Sequence, residues 1–462
     1  MKKFFVKIIA VIMTVAIIAS AVACSATNNN PSLGKIGRVN IDFARYQSLY
    51  NQYRSYSSSI GGATLNTLIK NQLISYGVTL NHCYEIGLEL DAEDEAELQN
   101  RLNEQIDEAI KNYKVDDSIK DEDAIREAKL DLFKTALKKN GSSYDKYIKS
   151  LEADLRESML MEKLKDQIYS EVSVTDEDVL KYVEEQTAKD EKTYTGKDDD
   201  GKDKKDAKPL DDFYTAYSKF LSDTGMIPLY NPEGMFGVKH LLVKFSNADE
   251  MQKDEDLKGT FDSEKEEELT KIREALKEGN STTLEDFEKL IAEHGEDPGM
   301  EETEVAEGEE PTINRLLMYG YIMNEEYISK YADGFGYAAM KLYAGHDWEP
   351  EKKSDTESTA NEEEPKTYAV KYYTLSDGTE VAEVSTTFGV HFIYIQTRLQ
   401  AGKVTITKDP ESDIWNNVHD KYLESKQSEH YNELYADWQK NTKIKLKEKY
   451  IDQIAASLFG LS

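Results

Sequence analysis

The chain has 462 residues, 39% of them hydrophobic and 32% charged, and its 89 Asp+Glu outnumber 57 Lys+Arg to leave a net charge of −32. That balance argues against a nucleic-acid binder, which needs a basic face for phosphate, and against adhesion to anionic lipid through a polybasic patch. Nine prolines and 25 glycines favour long helices over a turn-rich all-β fold, in two or three domains with length enough for a core.

Residues 1–23 read as an export signal, with Lys2, Lys3 and Lys7 ahead of an apolar run from Ile8 to Ile18. The run is too short and wrongly flanked for a permanent membrane span. It closes on Ala21-Val22-Ala23-Cys24, which resembles a bacterial lipoprotein lipobox, although Ala21 stands where that box usually carries Leu. The resemblance implies diacylation of Cys24 and a membrane anchor outside the cytoplasm, with residues 24–36 as a polar tether. An ordinary A-x-A cleavage site is the alternative. With Cys24 lipidated, Cys83, the only other cysteine, has no intramolecular partner. It lies in a helical apolar pattern (Leu65, Leu68, Ile69, Tyr76, Leu80), which predicts a buried, inert thiol rather than a redox centre.

Residues 37–190 are expected to be mainly helical: Phe43, Tyr46, Tyr50 and Tyr53 recur at helical spacing, as do Leu151, Leu155, Met159, Leu164 and Ile168. Asn140-Gly141 should stop one helix and Ser142, with Asp145, should cap the next; Thr175-Asp176-Glu177-Asp178 is a further start signal. Residues 191–235 read as a charged linker and a connecting helix, the low-complexity part at 191–209 being a mobile insert that buries no apolar area. Similar acidic patches recur near 301–310 and within 345–376. They lack the spacing of a calcium loop and read as solvated inserts.

Between the inserts the pattern changes. Val238 to Phe245 is β-rich, Glu264 to Lys277 reads as a helix, and Thr283 opens another through a capping box with Asp286. Strand character returns at Val381–Val384 and Val390–Ile395, so residues 236–403 are expected to form an α+β domain. The last segment, 404–462, is helical, with Ile414, Trp415, Val418, Tyr422, Tyr431, Leu434, Tyr435 and Trp438 in a stripe and Lys445-Leu446-Lys447 as a candidate strand. Helix at both ends suggests one helical lobe with the α+β domain inserted into it.

Several of these runs are similar to parvulin-type peptidyl-prolyl isomerases. Val238-Lys239-His240-Leu241-Leu242-Val243 resembles the family's first strand, and Asp286-Phe287-Glu288-Lys289-Leu290, followed by Asp297, resembles its "dFe.lA" helix. Phe335 to Leu342 resembles "Fe.Aaf.L", and Val384-Ser385-Thr386-Thr387-Phe388-Gly389-Val390-His391 is close to "V.T.fGyHii". The flanks, including Leu65 to Glu93 and Leu137 to Ser142, look like the helical chaperone domain of SurA- and PrsA-type foldases. Together with the leader, they give a likeness to the PrsA-type foldase lipoproteins of Gram-positive bacteria over most of 37–462.

The resemblance implies catalytic positions at His240, Asp297, His391 and Thr386, and a proline pocket walled by Phe335, with Phe388 beside the substrate. Tyr331 falls where the family's pocket methionine belongs, and Met323 is the candidate replacement. The family's glycine-rich "GGdLG" stretch is not recognisable after Asp297. The implied activity is isomerisation of X-Pro bonds in exported polypeptides, with no cofactor and no nucleic-acid partner. No metal is expected, since the seven histidines show no paired ligand spacing. The alternative is a parvulin scaffold with a weak or inactive pocket that holds unfolded clients, a use to which 29 tyrosines are suited. A solute-binding lipoprotein is disfavoured, because no Rossmann-like strand–helix repeats occur.

Overall fold

The computed structural model describes residues 30–116, 118–198, 200–251, 257–277, 279–301, 314–350 and 366–459. The leader, Cys24, most of the acidic stretch 301–310 and the middle of the insert 345–376 lie outside these residues. The fold is α+β. It divides into two compact units: one joins the residues up to Ser173 to those from Leu423, and the other is Val174–Tyr422.

The first unit opens with a hairpin of β1 (Ser32–Ile36) and β2 (Val39–Asp42). The Asp42 side chain accepts from the Arg45 N–H and so starts α1 (Phe43–Tyr53). Helices α2 (Gly62–Ile86), α3 (Ala92–Ile110), α4 (Glu122–Lys139) and α5 (Tyr144–Ser170) follow. Leu65, Ile69 and Leu73 of α2 meet Leu160, Leu164 and Ile168 of α5 in the main core, where Cys83 is fully buried and its thiol is pushed up to about 12 by that burial. The cap of α5 is one residue later than the sequence suggests. Gly141 adopts a left-handed φ of +76°, and the Ser142 N–H turns back to the Leu137 carbonyl (2.9 Å) to finish α4. Ser142 is thereby spent on closing the first helix, and Ser143 Oγ accepts from the Lys146 N–H.

The second unit starts at the Thr175–Asp178 capping box of α6 (Asp176–Tyr194). This helix belongs to the second unit, although residues up to 190 were expected in the N-terminal helical region. Val179, Val183 and Tyr194 bury against Phe213, Tyr217 and Phe220 of α7 (Pro209–Leu221) and against Trp415, which moves the division of the chain back to Ser173. In the charged stretch between α6 and α7 Lys197 and Asp203 form an antiparallel bridge, and α7, where a connecting helix was expected, buries Phe213, Tyr217 and Phe220 in the core.

After β3 (Tyr230–Asn231) come β4 (Phe236–Lys244), α8 (Ser263–Ala275), α9 (Leu284–His294), α10 (Arg315–Tyr319), β5 (Tyr321–Met323) and α11 (Asp333–Ala344). The chain then forms β6 (Val370–Thr374), β7 (Glu380–Ser385), β8 (Gly389–Arg398) and β9 (Gly402–Lys403). Five strands make an antiparallel sheet in the order β5-β4-β8-β7-β6. Its two faces follow from strand alternation. Leu241, Val243 and Phe392 point to Leu269, Ile272, Phe287 and Ile291 of α8 and α9, while Val238, Ile393 and Val384 point to Phe335, Ala338 and Ala339 of α11. With both faces covered, β4 is buried along almost its whole length and can carry polar side chains only where each finds a partner.

Helix α12 (Asp413–Asn441) supplies Trp415 and Val418 to the second unit's core and Trp438 to the first unit's. The strand expected at Lys445–Lys447 is β10 (Ile444–Leu446), which pairs antiparallel with β1, before the final helix α13 (Glu448–Phe459).

Candidate functional site

The site lies on the α11 face of the sheet, on its two central strands. In the β4–β8 register Leu242 faces His391 and His240 faces Ile393, so the two histidines are diagonal neighbours on one face. Their side chains reach each other, with the Nδ1 atoms 3.1 Å apart. Gly389 makes this approach possible at the start of β8: at φ +156° it lies against β4 so closely that a Cβ would sit 2.0 Å from the Val243 carbonyl oxygen.

From the pair a chain of hydrogen bonds runs both ways. His240 Nε2 is 2.7 Å from Asp297 Oδ2, and His391 Nε2 is 2.8 Å from Thr386 Oγ1. Asp297 also accepts from the Gly299 N–H at Oδ1 (2.9 Å) and from the Tyr321 hydroxyl at Oδ2 (2.9 Å), while Thr386 Oγ1 accepts from the Phe388 N–H (3.1 Å). The partners determine the hydrogens. A carboxylate only accepts, so His240 Nε2 carries a proton. With both histidines neutral, Thr386 O–H donates to His391 Nε2, His391 Nδ1–H donates to His240 Nδ1, and His240 Nε2–H donates to Asp297. One added proton makes His240 a double donor and reverses the two bonds beyond it without moving a heavy atom.

Burial and the adjacent His240 hold the His391 imidazole down at about 3, against the opposing field of Asp297. At Asp297 burial acts upward, but the bonds from His240, Gly299 and Tyr321 outweigh it and hold the carboxyl at about 2. Burial and then Asp297 push the Tyr321 phenol up, which keeps it a donor. His391 is thus a neutral hydrogen-bonding group across physiological pH. A base this weak takes up little of a hydroxyl proton, so Thr386 is poorly placed as an activated nucleophile despite its contact with His391.

Aromatic rings close the apolar side. Phe335 stands edge-on to His240 (4.9 Å between centroids) and to His391 (5.2 Å), and Tyr331 lies 6.0 Å from Phe335. The Tyr331 hydroxyl donates to the Ile322 carbonyl (2.8 Å), which fixes the ring. His240, Asp297, His391, Thr386, Phe335 and Tyr331 are therefore brought together. Met323 is not open to a ligand: it has no exposed surface and sits in the core with Phe236, Val238 and Phe335, because β5 pairs it directly with Phe236. Phe388 is 54% exposed at the β7–β8 turn and marks the rim rather than the pocket. Tyr321 is the residue that sequence reading missed. It lies on a three-residue strand, too short for any periodic signal, and touches Asp297 only through tertiary structure. Among the described residues no three His, Cys, Asp or Glu side chains gather as a metal ion would require.

No protein-family model matches the chain, and no curated protein matches it.

Proposed function

We propose that the second unit is a peptidyl-prolyl isomerase of the parvulin type, set within the helical chaperone module of a PrsA-like foldase, and that it acts on exported polypeptides. The observation that carries this reading is the unbroken hydrogen-bond chain from Thr386 through His391 and His240 to Asp297, backed by the ring of Phe335. Rotation about an X-Pro bond meets a barrier of roughly 18–20 kcal/mol because the planar amide loses its resonance on twisting. Rate is gained by holding the twisted state better than the planar one. The apolar wall of Phe335 and Tyr331 grips the pyrrolidine ring, and the neutral His391 imidazole, fixed between Thr386 and His240, sets a polar field beside the carbonyl. Isomerisation of a short X-Pro peptide, followed by protease coupling or exchange NMR, tests the reading; an uncatalysed rate in the presence of the intact chain would sink it.

One observation favours a holding role instead. Tyr331 stands where the parvulin pocket has a pliant methionine, and its hydroxyl is tied to Ile322, so the wall is rigid and less able to follow a twisting ring. Suppressed aggregation of an unfolded client by a preparation with no isomerase activity selects that reading.

The anchor is proposed from Cys24, with a membrane surface as its partner; among the described residues no helix is long and apolar enough to cross a membrane. Mass spectrometry of the exported protein is expected to show a diacyl addition that disappears in Cys24→Ala, and equal lipid content in the two forms refutes it.

A further inference from the structure

Beside the histidine pair the second unit holds a cavity of about 420 Å³ between α7 and the strand–helix wall that closes the site. Its size falls in the range of about 300–1,000 Å³ usual for ligand pockets. Tyr214, Tyr217 and Leu221 of α7 form one side; Leu316, Tyr321 and Tyr331 form the other. Two of these rings are shared with the candidate proline site, because Tyr321 is bonded to Asp297 and Tyr331 packs on Phe335. Gly299, whose N–H holds Asp297, also lines the cavity. The cavity thus shares the Tyr321 and Tyr331 wall with the site.

The lining dictates the occupant. No charged side chain contributes to it, in a chain of which 32% is charged. Three of its hydroxyls are already committed: Tyr214 to Asn324 Oδ1 (3.3 Å), Tyr331 to the Ile322 carbonyl and Tyr321 to Asp297. What these rings offer is aromatic surface, which suits an aromatic ring packing edge-on or offset. The walls are also held in place. Tyr214 stacks on Tyr327, and the buried Arg315 ties the end of α7, at the Phe220 carbonyl and Asp223, to Asp413 of α12.

We propose that this cavity is a specificity pocket for an aromatic side chain next to the proline of a client peptide, with α7 as its outer wall. The inference rests on the isomerase reading for the position of that proline. Ser218, exposed at the α7 edge of the cavity, is the place to fill it. Affinity and isomerisation rate are to be measured on the full chain with four peptides, bearing Phe or Ala immediately before or after the proline. The intact protein is expected to bind one Phe peptide at least about fivefold more tightly than its Ala counterpart. Ser218→Trp is expected to bring that ratio to within about twofold, and Ser218→Ala to retain it, with circular dichroism showing both variants folded. Equal affinities in the intact protein, or a Phe preference that survives Ser218→Trp, overturn the proposal. Absence of isomerisation with a Phe preference that Ser218→Trp abolishes leaves the pocket standing and removes only the isomerase reading.

Discussion

Under the proposed isomerase function, His391→Gln is expected to lower the rate of X-Pro isomerisation on the order of tenfold to a hundredfold, or about 1.4–2.7 kcal/mol of transition-state stabilisation. Glutamine preserves polarity but cannot bridge Thr386 and His240 Nδ1 as the imidazole does, so the chain to Asp297 is cut in the middle. Stability carries a second, independent signature. The folded imidazole is held near 3, below its ordinary value of 6.5. Between those values the unfolded chain binds one proton at this position that the folded chain does not. Stability attributable to His391 therefore rises with pH through that window, by up to about 1.4 kcal/mol per pH unit, and levels off above it. Urea unfolding at several pH values between 4 and 8 is expected to show a shallower slope in His391→Gln than in the intact chain. Identical slopes would show that the imidazole is not buried in its neutral form. The Asp297 carboxyl acts lower, its contribution being present above about 3.9 and lost as pH falls through about 2.

Arg315→Ala is expected to destabilise the second unit by about 3–5 kcal/mol, the usual cost of stripping one partner from a buried ion pair. The guanidinium is almost wholly buried and donates through Nε and Nη2 to Asp413 at 2.8–3.0 Å. Asp413 is equally buried, so the substitution leaves a desolvated carboxylate to which the Tyr319 hydroxyl still donates at 3.1 Å. The same guanidinium lies over the ring of Phe220 at 4.9 Å. Pairing the change with Asp413→Leu removes the orphaned charge and should return much of the loss, because an apolar replacement of a whole buried pair is often neutral. Denaturant unfolding of the two variants decides the matter: a double variant as unstable as Arg315→Ala would show that packing on Phe220, not charge, is what the arginine supplies.

Local signals were readable in the sequence wherever their physics is local. The capping boxes at Thr175 and Thr283 are four-residue patterns and are present as such, with Asp178 and Asp286 closing them. The Ser142 to Ser143 shift arose because the helix stop at Gly141 and the next start compete for the same residues. Helix α6 shows a stripe that could bury against anything; only its meeting with Phe213 and Tyr217 assigns it to the second unit. His240 and His391 lie 151 positions apart, and no spacing rule links them; the motifs around each suggested the pair. Met323 was misjudged as a pocket residue because a methionine's chemistry is visible in sequence and its depth is not. Tyr321 and the α7 wall could not be read at all, since both depend on chain segments that meet only in three dimensions.

The pairing of β1 with β10 has a consequence for the order in which the molecule forms. Gly34 lies opposite Leu446, and the Tyr50 hydroxyl donates to the Leu458 carbonyl across 408 positions. The first unit therefore cannot complete its small sheet until nearly the whole chain has been made, whereas the second is one continuous segment. Closing so long a loop is slow while the intervening chain is unfolded, and faster once that segment has collapsed and brought its own ends together. Pulse-labelled hydrogen exchange during refolding should protect amides of β4 and β8 before those of β1; the reverse order would mean that the two chain ends find each other unaided. The inserted unit acts in this sense as an internal clasp, making assembly of the first unit conditional on its own.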